Sequence, residues 1–155
     1  MTADVNRNFG ALIGEFAHET GLGLEIDDKG SCSVITGGTV VTMQYREETD
    51  DVALFSAVTA PEDAISPAVM RKALELACHG QGTHGNFLGL FGDAIVVSRF
   101  MPMEGLTAKT LGATLVAFAD AAAEIEDALS IARQQGISEA TGGEGFASNL
   151  DTIRV

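Results

Sequence analysis

The chain has 155 residues, a formal net charge of −13 at pH 7 and a pI near 4.4, with 46% hydrophobic residues and a mean hydropathy of +0.20. That length suits one domain able to bury a core without disulfides or metals, and the acidity repels both the phosphate backbone of nucleic acid and an anionic membrane face. Neither is expected as a partner, whereas a hydropathy this high in so charged a chain leaves apolar surface for a protein partner.

From Asn6 to Thr20 apolar residues fall at Phe9, Leu12, Ile13, Phe16 and Ala17. This spacing predicts a helix that stops at Gly21. Leu24 and Ile26 then alternate, the turn Asp27-Asp28-Lys29-Gly30 intervenes, and Cys32, Val34, the pair Gly37-Gly38, Val41, Met43 and Tyr45 continue a hairpin series. After the acidic loop from Glu47 to Asp51, the run Val52 to Thr59 is apolar on both faces, as expected of a central strand covered on both sides.

Ser66-Pro67 offers an N-cap and a first-turn proline. Met70, Ala73, Leu74, Ala77 and Cys78 line one side of the helix they start, which should stop at Gly80. Two apolar runs, Phe87 to Phe91 and Ala94 to Phe100, are joined by Gly92-Asp93, a hairpin signal. From Thr107, Leu111, Leu115, Phe118, Ala122, Ile125 and Leu129 recur at steps of four and three and predict a long helix ending near Gly136.

The expected fold class is α+β in the order α-β-β-β-α-β-β-α, with helices packed on a twisted antiparallel sheet. Residues 1–136 form the domain, and residues 137–155, without periodicity, read as a mobile tail. Cys32 and Cys78 have no CxxC spacing and read as small buried apolar residues. The amino terminus lacks a signal-peptide pattern and no stretch reaches 18 uninterrupted apolar residues, so a cytoplasmic protein is expected.

Two stretches resemble chemical sites. Gly80-Gln81-Gly82-Thr83-His84-Gly85 spells GxGxxG, but that fingerprint needs a strand delivering its glycines to a helix N-terminus, and here a helix runs in and a strand runs out. Cys78, His79 and His84 could supply ligands to a zinc-like ion, yet their spacing is unusual and no fourth ligand lies nearby in sequence. A small metal- or nucleotide-dependent enzyme built on this glycine loop is one alternative, and a generic dimeric interaction module is another. Neither GxSxG, a Walker lysine nor HExxH is present, and no catalytic residue, metal or cofactor is expected.

Several stretches, in order and spacing, carry a resemblance. They are Phe16-Ala17 followed by Gly21 to Cys32, then Val52 to Ala57, then Gly85 to Leu90 with Ile95 to Phe100, and last Leu106 to Leu129. From about Phe9 to Arg133 the chain resembles the class I chaperones of type III secretion, the CesT (Tir chaperone) family. It departs from them in Gly23, where proline is frequent, and in a longer tail.

The resemblance implies a homodimer in the bacterial cytoplasm, associated with virulence, without cofactor or turnover. Such a dimer binds the unfolded N-terminal segment of one or more secreted effectors and keeps it soluble, non-globular and secretion-competent, with the secretion ATPase as a further partner. The expected effector-binding patch is the outward side of the first helix with the neighbouring strands: Leu12, Ile13, Phe16, Val34, Val41 and Met43. The expected dimer interface is Met70, Ala73, Leu74, Ala77, Phe87 and Leu88.

Overall fold

The computed structural model describes residues 5–142, with side-chain surroundings from residue 7 to residue 138. Its elements are α1 (Val5–Thr20), β1 (Ser31–Thr36), β2 (Thr39–Arg46), β3 (Asp51–Ala57), α2 (Pro67–Ala77), β4 (Phe87–Phe91), β5 (Ala94–Pro102) and α3 (Ala108–Gly142). The strands make one five-stranded antiparallel sheet in the order β1-β2-β3-β5-β4, so β3 is central and β1 and β4 are its edges. Fold class and element order are those read from the sequence.

Local chemistry explains the joints. The Asp27 carboxylate accepts the N–H groups of Lys29 at 2.8 Å and Ser31 at 2.9 Å, which folds the chain into β1. Gly37 and Gly38 close the β1–β2 hairpin with φ of 57° and 84°, the left-handed region that an L side chain resists. At the start of α2, Ser66 Oγ accepts the Val69 N–H at 3.3 Å, with Pro67 in the first turn.

All three helices lie on one face of the sheet. Cys32 pairs with Met43, Met43 with Leu54, Val34 with Val41 and Leu88 with Val97, so these residues point to one side. Against them pack Phe9, Leu12, Ile13 and Phe16 of α1, Val69 and Ala73 of α2, and the α3 stripe Leu111, Leu115, Phe118, Ile125 and Leu129. Buried Leu and Phe side chains contribute about 1.5–3 kcal/mol each by removing apolar area from water.

The structure corrects the sequence reading in four places. Leu24 and Ile26 lie outside any strand; they rest half-buried on the core, and among the described residues the outer edge of β1 has no ladder partner. No helix among the described residues covers the second face of β3: Ala53 is buried beside Phe100 in the sheet, while Phe55 is only half-buried.

Helix α3 runs through Gly136 to Gly142, so the expected domain boundary falls inside a helix. An added Cβ at Gly136 would lie 2.8 Å from the Ala68 Cβ, so this glycine permits a close approach to the start of α2 and ends nothing. The expected mobile tail beyond Gly142 lies outside the described residues. Finally, Cys32 is buried as expected, but Cys78 is exposed, because it caps the end of α2, its N–H bonding to the Leu74 and Glu75 carbonyls. No described helix is long and apolar enough to cross a membrane.

Candidate functional site

The six residues expected to bind an effector are all buried. Leu12, Ile13, Phe16, Val34, Val41 and Met43 are 0–6% exposed and belong to the core cluster. Apolar alternation marks one face of each element correctly, but that face meets α3 and not solvent. The patch as drawn from sequence is therefore not a surface of this protomer.

The other face is open. Pairing places Ile35 beside Val40, Thr42 beside Phe55, Phe55 beside Ser98, Ser98 beside Phe87, and Ala53 beside Phe100. Ile35 is 69% exposed, Val40 53%, Phe87 63% and Phe91 80%. Phe87 and Phe100 lie 5.8 Å apart at 41°, a tilted aromatic pair, and the Arg46 guanidinium sits 4.1 Å over the Phe100 ring. Ser33 and Thr42 share a hydroxyl hydrogen bond of 3.0 Å across β1 and β2.

Arg46 also donates twice to Asp51, Nε to Oδ1 at 2.6 Å and Nη2 to Oδ2 at 2.5 Å. This fork holds the Asp51 carboxyl below the usual carboxylate range and raises Arg46 in turn. Nearby, Tyr45 stacks on Phe9 at 6.0 Å and donates its hydroxyl to Asp50 at 2.8 Å. Loss of water around the ring, then the bond to Asp50 and the charges of Asp50, Glu47 and Asp51, push the Tyr45 hydroxyl up to about 12. The Cys32 thiol is raised by burial and, second, by Asp27.

On the opposite edge, the expected dimer residues divide. Leu74 is 67% exposed, and Ala77 and Phe87 are also exposed. Met70 and Leu88 are half-buried. Ala73 is buried within the protomer core, so its expected place in an interface is corrected: it belongs to the inner stripe of α2. Leu74 on α2 and Phe87 on β4 thus present apolar surface on the side of the molecule away from β1.

The glycine loop is a built connection. Cys78–Gly80 is a 3₁₀ turn, Thr83 and Asn86 are buried, and the Asn86 side-chain amide donates to the Thr83 carbonyl at 2.8 Å. His79 and His84 both adopt positive φ, 57° and 52°. His84 Nε2 meets Glu124 Oε2 at 2.6 Å, tying the loop to α3. Cys78, His79 and His84 do not come together with one another as a ligand group, and no cluster of three such side chains occurs among the described residues. The loop joins a helix to a strand, the reverse of the order a dinucleotide site uses.

The residues that the sequence reading missed are Ile35, Val40, Phe91 and Phe100. Their signal was present in the same period-two pattern, since every second residue of β1, β2, β4 and β5 belongs to this other face.

A five-stranded antiparallel sheet with its described helices on one face and apolar side chains exposed on the other defines an α+β protein. The model of the Tir chaperone protein (CesT) family matches residues 11–126, and the chain belongs to that family. No curated protein matches it. Among solved structures, a chain of the HopA1–SchA chaperone–effector complex is similar at 19% identity and a TM-score of 0.65, covering 79% of this chain and 95% of that one. A chain of the ExsC–ExsE complex is similar at 24% identity and a TM-score of 0.59, with 79% and 90% covered. A chain of the ExoT–SpcS complex from Pseudomonas aeruginosa is similar at 19% identity and a TM-score of 0.54, with 77% and 97% covered.

Proposed function

We propose that this chain is a type III secretion chaperone that, as a homodimer, holds the unfolded N-terminal segment of one or more effectors in a soluble, secretion-ready form. The observation that carries the reading is the open edge of β1 beside a helix-free face rich in apolar groups. An extended chain can add to such an edge through main-chain hydrogen bonds while its alternate side chains settle on Ile35 and Val40. Each well-buried Leu or Phe contributes about 1.5–3 kcal/mol, against an ordering cost on the order of 2–5 kcal/mol, so several contacts along one segment are required.

Dimerisation through Leu74, Ala77 and Phe87, with Met70 and Leu88 at the margin, uses the β4 edge, including the part of the open face that carries Phe87, and leaves the β1 edge of each protomer free. The loaded dimer would then present its client to the secretion ATPase. No turnover is involved: the action is stoichiometric burial of client surface.

The test is co-expression with secreted proteins encoded beside this chain, followed by mapping of the client segment protected from protease. Ile35→Asp with Val40→Asp should abolish client co-purification while leaving the mass in light scattering unchanged. Undiminished client retention by this double variant would reject the assigned surface, and absence of any protected segment would reject the chaperone reading.

A further inference from the structure

We infer that the helix-free face takes its client in one polarity, with the client's apolar residues over the sheet and a Lys/Arg-rich stretch over the end where β1 begins. This rests on the chaperone reading above and specifies the chemistry of its client.

The charge distribution carries the inference. Only three charged residues lie within the strands, Arg46, Asp51 and Arg99. Arg46 and Asp51 neutralise each other, and Arg99 shares its register with Leu54 on the helix-covered side. In a chain of net charge −13, the helix-free face thus offers an extended client almost no free charge.

One end of that face is the opposite. Ser31 pairs with Gln44, and Arg46, Asp51 and Pro102 lie in one row, so the loops before β1, between β2 and β3, and after β5 meet at the same end. The Met103 N–H donates to the Asp50 carbonyl at 3.0 Å and ties two of these loops together. Glu25, Asp27, Asp28, Glu47, Glu48, Asp50 and Glu104 are all exposed there, against Lys29 and the Asp51-bound Arg46. The far end, at the turns Gly37-Gly38 and Gly92-Asp93 and the segment leaving β3, carries fewer acids: Asp93, Glu62 and Asp63, the last paired with Arg133.

A field of one sign at one end of an uncharged apolar surface orients whatever lies along it. A second copy of this chain is a poor occupant, because it brings the same net charge and its described Lys and Arg residues are scattered along the sequence. An unfolded segment with an apolar stretch leading into lysines or arginines satisfies both halves of the surface at once.

The experiment uses the full chain and a synthetic peptide that alternates Leu with Ser and runs into lysines, carrying a photoreactive group at either terminus. Cross-links from the lysine terminus should map to residues 25–29, 47–50 and 103–105, and those from the other terminus to the two glycine turns. Fluorescence anisotropy at low salt should show roughly tenfold weaker binding to Glu47→Lys/Glu48→Lys, a difference that closes at high salt as the charges are screened. Ile35→Ser/Val40→Ser should weaken binding at both salt concentrations.

Reversed or mixed cross-links, equal affinity of the charge variant at low salt, or no binding of the peptide would overturn the polarity. The two readings fail separately. A protease-protected effector segment whose retention ignores Glu47→Lys/Glu48→Lys overturns the polarity and leaves the chaperone function standing. Absence of any protected segment overturns the chaperone function itself.

Discussion

The two faces of the sheet are built from the same alternating strands and have opposite fates. On one, Val41, Met43, Val52 and Leu54 are fully buried beneath α1, α2 and α3. On the other, Ile35, Val40, Phe87 and Phe91 remain exposed beside Phe55 and Phe100. Apolar residues on the covered face hold the protomer together, while those on the open face add little to its stability and are available to a partner. The contrast explains how an acidic chain can be rich in apolar residues: part of that content is surface.

The largest expected effect sets the two faces directly against each other. Phe118→Ala removes a ring that is 1% exposed at the centre of the α3 stripe and should cost about 3–5 kcal/mol in denaturant unfolding. Ile35→Ser/Val40→Ser should stay within about 0.5 kcal/mol per site, as surface changes do. Comparable losses from both would erase the distinction between the faces.

Next in size, Leu74→Asp with Phe87→Asp places charges on the apolar side formed by α2 and β4, and should weaken self-association by at least about 2 kcal/mol, shifting light-scattering mass toward the monomer. A dimer that persists at micromolar concentration would move the interface elsewhere, including to the β1 end of the open face.

Two glycines sharpen the comparison further. A Cβ at Gly82 would lie 2.8 Å from the Leu76 backbone, so Gly82→Ala should cost about 1–3 kcal/mol and loosen the connection into β4. Gly89 sits on the open face with nothing within 4 Å of an added Cβ, and Gly89→Ala should be neutral or stabilising by up to about 1 kcal/mol. Thermal melts of the pair read the difference between a closed and an open environment.

The smallest effect is electrostatic. Because Arg46 lowers the Asp51 pKa in the folded protein relative to about 3.9 in an unfolded chain, the pair stabilises the fold above that value. That contribution fades as pH falls through the lowered folded value. Asp51→Asn should flatten this acid limb of the stability profile, and an unchanged profile would show that the fork at the edge of the open face carries no net energy.

Much of the architecture was legible in the chain itself, for reasons particular elements make plain. The steps of four and three from Leu111 to Leu129 mark a helix because only a period near 3.6 brings those residues onto one side. Gly37-Gly38 and Gly92-Asp93 mark hairpins because positive φ is cheap there. What misled was Gly136, whose lack of a side chain serves close packing on Ala68, and Cys78, whose exposure follows from its place at the end of α2.

Sequence alone therefore determined the order of elements, the α+β class, the inner stripe of each element and the likeness to a chaperone family. Tertiary structure decided which side of the sheet receives the helices, and so turned the expected binding residues Leu12, Ile13, Phe16, Val34, Val41 and Met43 into core and their alternate neighbours into surface. The physical reason is that a strand's alternation defines two faces without saying which is inside. That choice is made only when α3, from a distant part of the chain, closes over one of them.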